Sequence, residues 1–459
     1  MRPWALSMMM VAVSALPAAA RDMLVHDQQE YAVAAKMLAP GDRIVLANGE
    51  WRDFAVRFSA MGQADKPITL TAETPGKVIL TGKSSLRMAG RWLIVSNLVF
   101  KDGHGGDEEL IAFRDGTKRW AENSRLTGVV VDGYGPPDTA RTDHWVSLYG
   151  RNNRVDHSHF VGKMHGGAML VVVRAANLPL DNHHRIDHNY FGPRPPLGEN
   201  GGETIRIGTS QESQSDSFTI VEDNYFERCD GEAEIVSIKS GANILRRNVV
   251  VESQGAFVMR HGHGNVIEDN MFFGNGVKRT GGIRVINRRQ VVRNNYLEGL
   301  AGERPYSAIS LMNGVPNSPL NRYVQVADAL IARNSVIDAA TVTLGNGASA
   351  ELSLPPVSTR FEGNLFVNAK RGDPFVARAD IAGIGFAGNV LSAPGPAALP
   401  IAMDRRQVVL ARAANGLLYP TDPTLAETGA DPSLKPIARE ETGVSWYAKP
   451  AASPLPGSH

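Results

Sequence analysis

The chain has 459 residues, with 48 lysines and arginines against 47 aspartates and glutamates, for a formal charge of +1. So even a balance excludes a general polyanion binder of the kind that coats nucleic acid, and any attraction for an acidic polymer must be local. The single cysteine, Cys229, excludes an internal disulfide, so stability must come from burial and backbone hydrogen bonds.

Residues 1–20 read as an export leader. Arg2 is a short positive start, Trp4 to Leu16 is an apolar run, and Pro17 with Ala18, Ala19 and Ala20 suits a cleavage site. The run is too short for a good membrane span. The expected product is a formally neutral, exported protein, periplasmic or extracellular, with no membrane attachment after cleavage and no protein partner implied. Asp27 to Leu38 has helical character and stops before Pro40-Gly41, as an N-terminal cap would; Arg43 to Leu46 reads as the first strand.

From there an imperfect unit recurs: an apolar residue, two polar residues, Asn or a relative, then an apolar pair. It stands as IVSNLVF (Asn97), VDHSHF (Ser158), IDHNYF (Asn189), VEDNYF (Asn224), LRRNVV (Asn248), IEDNMF (Asn270), VRNNYL (Asn295), ARNSVI (Asn334), EGNLF (Asn364) and AGNVL (Asn389). Asn224, Asn248, Asn270 and Asn295 follow at steps of 24, 22 and 25 residues. Short Ile- and Val-rich runs between them (TIRIG, EIVSIKS, AFVMRHG, GGIRVI) alternate apolar and polar. A period in the twenties built from short strands specifies an all-β solenoid, a right-handed parallel β-helix, over residues 21–459 as one domain. Asn suits the tight corner because it tolerates the left-handed conformation and can bond to its copy in the next coil. From about Ser392 the chain is rich in Pro and Ala and is expected to finish the last coils and trail off.

Stacked coils place residues one period apart side by side, about 4.8 Å from strand to strand. Arg206, Lys239, Arg260 and Arg284 fall at comparable distances past their corner residues, each on the outward parity of its strand. They would form a cationic stripe, either a groove for a polyanion or an ordinary solvated face. Glu232 and Glu234 project to one side in extended chain, and Asn200 falls one coil earlier. These side chains make either a hard-oxygen cation site or two surface glutamates paired with arginines. Cys229 reads as a buried small apolar residue.

At these residues the chain resembles polysaccharide lyase family six, which holds chondroitinase B and many alginate lyases, in its single-domain form. The stretches that carry the resemblance are VILTGKSSLRMAG (78–90), WVSLYGRNNRVDHSHF (145–160), HHRIDHNYFGPRPPLGENGGETIRIG (183–208), CDGEAEIVSIKS (229–240), GAFVMRHG (255–262), TGGIR (280–284) and GVPNSPLNRYVQV (314–326). The resemblance implies Lys239 as Brønsted base, Arg260 as acid, and Asn200, Glu232 and Glu234 as ligands of a Ca2+ cofactor. By position, Arg206, His261, Arg284 and Arg322 are candidates for binding substrate, and His261 could also serve the acid step. The expected activity is β-elimination on an acidic polysaccharide, alginate ahead of dermatan sulfate. A non-catalytic polysaccharide-binding β-helix would keep the stripe without needing Lys239. A polygalacturonase-like hydrolase is disfavoured, because its clustered aspartates are missing: no Asp-Asp or Asn-Thr-Asp occurs in the chain.

Overall fold

The structure is a computed structural model that describes residues 20–105, 108–136, 138–198, 200–369 and 371–455. The leader expected over residues 1–20 lies, except for Ala20, outside the described residues. Three long parallel sheets of 14, 13 and 14 strands wind around one core, each strand pairing with its counterpart in the next coil. This is the parallel β-helix that the repeat specifies. The first strand is Asp22–Val25, which pairs with Arg43–Leu46, so the solenoid begins one strand earlier than the sequence suggested. Between the two lies a short helix, Gln28–Ala34, whose N-terminal amides at Gln29 and Glu30 donate to the Asp27 carboxylate. Its buried Tyr31 meets Phe54 edge-on and covers the first coil.

The repeated Asn residues build a buried ladder. The Asn189 side-chain amide donates to the Asn224 carbonyl oxygen, and the pattern continues through Asn248, Asn270, Asn295, Asn334 and Asn364 to Asn389 at 2.8–3.0 Å. Each accepting oxygen also takes the backbone N–H of the preceding rung, so the corner's polar groups are satisfied inside the core. The left-handed conformation falls one residue earlier than expected. His157, His188, Asp223, Arg247, Asp269, Asn294 and Arg333 all have positive φ, while among the repeat asparagines only Asn97 does. A side chain buried as a ladder rung needs an inward direction, and the residue before it absorbs the turn. Inside, Phe160, Phe191 and Phe226 stack from coil to coil at 5.4 and 5.0 Å. Cys229 is buried as expected, and burial pushes its thiol up to about 12.

The C-terminal segment does not trail off. After pairing with the last coil at Asp404–Arg405 it makes a small hairpin, then runs back along the outside of the third sheet. Its contacts step down the solenoid: Gly429 N–H to the Gly363 carbonyl, Gly443 N–H to that of His188, and the Tyr447 hydroxyl to Asp132. The reason is the apolar outer face of that sheet, where Tyr190, Tyr225, Val249, Met271 and Tyr296 need a cover.

Candidate active site

The 13-stranded sheet carries the predicted residues on the strands Ile205–Ile207, Glu234–Lys239, Gly255–His261 and Thr280–Val285. The four cations do not form a single row. Arg206 pairs with Ser237, and Arg284 with Val258, whereas Lys239 pairs with His261. The register slips between Ile238/Met259 and Lys239/His261, which leaves Arg260 as the extra residue of a β-bulge. A second slip makes Ile235 an extra residue just after Glu234. Counting from the corner residue could not detect these insertions. They let consecutive residues Arg260 and His261 both serve the outer face opposite Lys239.

Lys239 Nζ lies 3.4 Å from the Glu203 carboxylate, which is almost wholly buried and whose second oxygen has no partner among the described residues. Glu203 was missed in the sequence; its only signal is its place three residues after Asn200 on the approach to the Arg206 strand. Arg260 is 21% exposed, its guanidinium stacks on the Tyr323 ring at 4.2 Å, and its Nε is 3.7 Å from Glu234. Arg284 donates to the same Glu234 oxygen at 2.7 Å, and the Ser237 hydroxyl donates to the other at 2.5 Å. Burial would raise the Glu234 carboxyl, but Arg284, then Arg260 and Ser237, hold it below the usual carboxylate range. Glu232 has the opposite fate: burial, and then the nearby Glu203 and Glu234 charges, push its carboxyl up to about 9.

That asymmetry bears on a cation. Glu203, Glu232 and Glu234 crowd more negative charge into one place than the local cations neutralise, since Glu232 takes up a proton instead. The donor set is all oxygen, with the exposed amide of Asn200 on the neighbouring coil, which suits a hard divalent ion. Among the described residues no three carboxylate, His or Cys groups close into a chelate by themselves, so such an ion would share its shell with the amide and other oxygens.

The remaining candidates divide. Arg206 donates toward His144 Nε2 at 3.2 Å, two coils nearer the N-terminus. His261 contacts the Ser210 hydroxyl at 3.3 Å; burial, then Arg260 and Lys239, push it down to about 4, so it is neutral at ordinary pH. Arg322 is not brought to the carboxylates: it pairs with Glu351 at 2.5 Å, and its neighbour Tyr323 is the residue that reaches Arg260.

The family model of chondroitinase B matches residues 25–421. The chain belongs to the chondroitinase B family, polysaccharide lyase family six. Within it, the chain is 50% identical to the alginate lyase AlyGC, with a TM-score of 0.93, covering 96% of this chain and 60% of that one. The chain thus spans about three-fifths of that relative's length. A mannuronic acid specific family six lyase from human gut microbiota is 35% identical over 81% of this chain and 86% of its own, at a TM-score of 0.74. A family six polysaccharide lyase from Pseudopedobacter saltans is 25% identical over 93% of this chain and all of its own, at 0.73. No curated protein sequence matches the chain.

Proposed function

We propose that the protein is a polysaccharide lyase that cleaves 4-linked uronate polymers, alginate above all, by calcium-assisted β-elimination. The observation that carries this reading is the juxtaposition of Lys239 with the Arg260 bulge on adjacent coils, beside three crowded carboxylates on an outward sheet face. The two relatives of 50% and 35% identity, one named an alginate lyase and the other mannuronic acid specific, support alginate as the substrate.

The chemical problem is the C5 proton of a uronate, which is weakly acidic because the adjacent carboxylate is already charged. Lys239 takes that proton on its Nζ. The electron pair left on C5 forms the C4–C5 double bond as the C4–O bond breaks. Arg260, or a water that it orients, supplies a proton to the departing oxygen, and an unsaturated uronate remains at the new non-reducing end. Stacking on Tyr323 and the pull of Glu234 fix the Arg260 guanidinium in one orientation, which suits an electrostatic role toward the leaving oxygen. Arg206 offers its guanidinium to a neighbouring substrate carboxylate, and neutral His261 offers a hydrogen bond beside Lys239; Arg284, a substrate-binding candidate by position, is instead buried and bonded to Glu234. Asn200, Glu232 and Glu234 would hold the calcium ion. When bound, it would supply positive charge that offsets the charge building on the substrate carboxylate.

Incubation with alginate, dermatan sulfate and pectate, followed by the ultraviolet absorbance of the new double bond, tests the activity and the substrate together. The expected order places alginate first. Faster release of unsaturated product from dermatan sulfate would move the specificity to that polymer, and no product from any of them would favour a binding protein. We read residues 1–20 as the export leader of a periplasmic or extracellular enzyme; N-terminal sequencing of the exported protein is expected to begin at Arg21.

A further inference from the structure

Beneath the turns that carry Asn200, Glu203 and Glu232 lies a buried arginine that the reaction outlined above does not use. Arg194 is 3% exposed, and among the described residues no carboxylate lies within ion-pair distance of it. Its guanidinium donates instead to four backbone carbonyls: Gly202 at 2.9 Å, Glu203 at 3.0 Å, His165 at 3.0 Å and Gly167 at 3.4 Å. Its own backbone pairs with Arg228 and Asp230 of the following coil. The side chain therefore ties two successive coils together, and the Arg194 backbone joins them to a third. The packing there leaves no room for movement: a Cβ at Gly231 would lie 2.1 Å from the Gly202 carbonyl oxygen and 2.8 Å from Arg194 Nε. On the far side the His165 segment is itself fixed, because Lys163, His165 and Asp143 contact one another at 2.6–2.7 Å in a fully buried cluster.

Burying an unpaired guanidinium is a costly way to close a corner. The Asn ladder closes the other corner of the same coils with neutral side chains. What the arginine adds is reach: one planar fork that fixes four carbonyls belonging to two turns. We propose that Arg194 is a positioning residue of the reaction site: it clips the Asn200–Glu203 turn against the His165–Gly167 turn of the preceding coil, beneath the closely packed Gly231, and so sets the position of Asn200 and of the carboxylate beside Lys239 relative to the Glu232 turn. This rests on the lyase reading with its calcium site.

Arg174 provides a matched comparison. It is equally buried and likewise held by carbonyls, those of Leu180, Glu212, Ser215 and Asp216, but it serves the loop that leaves the Ile205–Ile207 strand at the opposite end from Asn200. The test is calcium binding to substrate-free protein by calorimetry, with kcat on alginate at saturating calcium and the melting temperature. In Arg194→Met, calcium affinity and kcat are each expected to fall roughly tenfold or more, in the range that supporting contacts of a metal site command. Arg194→Lys should not restore them, because an ammonium cannot fork across two turns. Arg174→Met should lose comparable melting temperature yet keep its calcium affinity within about twofold, since only the former guanidinium touches the ligand turns. Should Arg194→Met fail to fold, Gly231→Ala, whose added Cβ displaces the Arg194 guanidinium and the Gly202 carbonyl while keeping the charge, is expected to weaken calcium binding in the same way. Wild-type calcium affinity and kcat in Arg194→Met or, failing that, in Gly231→Ala would overturn the proposal, as would equal loss of calcium binding in Arg174→Met. A wild-type protein that neither binds calcium nor releases product from alginate would instead defeat the underlying lyase reading, and this proposal with it.

Discussion

Arg260 and Glu232 show how far single side chains are set by their surroundings. The Arg260 guanidinium sits over the Tyr323 ring while its Nε faces Glu234, two contacts that the compact ammonium of a lysine cannot make with one planar group. Arg260→Lys is therefore expected to lose roughly 10²-fold or more in kcat, the scale of a positioned acid or electrostatic group, with circular dichroism unchanged. Activity within a factor of about three of wild type would remove the guanidinium from the chemistry. Glu232 leads to a pH dependence. Its carboxyl, pushed up to about 9 in the ion-free protein, must lose a proton for the ion to bind. Calcium affinity should then rise as pH goes from 7 toward 9, by about tenfold per unit for one displaced proton, and level off above that. Titration calorimetry in buffers of different ionisation enthalpy reads the released proton directly; a pH-independent affinity with no proton release would show that Glu232 is not displaced by the ion. The one-coil spacing brought these residues together in the sequence, whereas the roles given to them came from the family resemblance alone. Glu203 was not legible, since an acid beside a glycine pair carries no signal until the next coil is laid against it.

At the scale of the element, the coil period was legible because the buried Asn must recur wherever the chain turns. Its ladder makes a quantitative expectation. Asn248 accepts from both the backbone and the side chain of Asn224 and donates to Val221 and Asn270. Asn248→Leu would leave the buried Asn224 backbone N–H without its acceptor, so a loss of about 1–3 kcal/mol is expected, read as a lower urea midpoint. An unchanged midpoint would mean that the rungs are dispensable. The bulges at Ile235 and Arg260 were not legible, because one inserted residue leaves the alternation of apolar and polar side chains looking ordinary. They nevertheless decide which residues face each other across that pair, which is why Lys239 sits opposite His261; its offset from Arg206 comes from the unbroken register that places Arg206 opposite Ser237.

For the molecule as a whole, the returning C-terminal segment could not be read from the sequence: its Pro- and Ala-rich composition lacks strand character, and only the apolar outer face of the third sheet explains its path. It also helps to enclose His159, which packs at a tilt against Tyr190 and meets Tyr447 edge-on. Burial pushes both His159 and His184 down to about 3. With an unfolded value near 6.5, each binds fewer protons folded than unfolded between those limits, so its stability contribution is complete above about pH 6.5 and is lost as the pH falls. Two such groups cost about 4 kcal/mol together between pH 7.5 and 5. The urea midpoint should drop accordingly, and a midpoint that is flat over this range would contradict the buried neutral state of the two rings.

The central claim, elimination with Lys239 as the base, meets its most direct test in the formation of the C4–C5 double bond by wild-type protein and by Lys239→Ala on alginate at saturating calcium. Lys239 faces outward on its strand, so the substitution should keep the fold, read by circular dichroism, while the melting temperature falls because the buried Glu203 loses the ammonium beside it. The expected result is a steady rise in ultraviolet absorbance for the wild type and, for the variant, a rate lower by roughly 10²–10⁴-fold, the contribution of a positioned base. A variant that keeps a tenth or more of the wild-type rate while binding alginate normally would contradict the account and require another base.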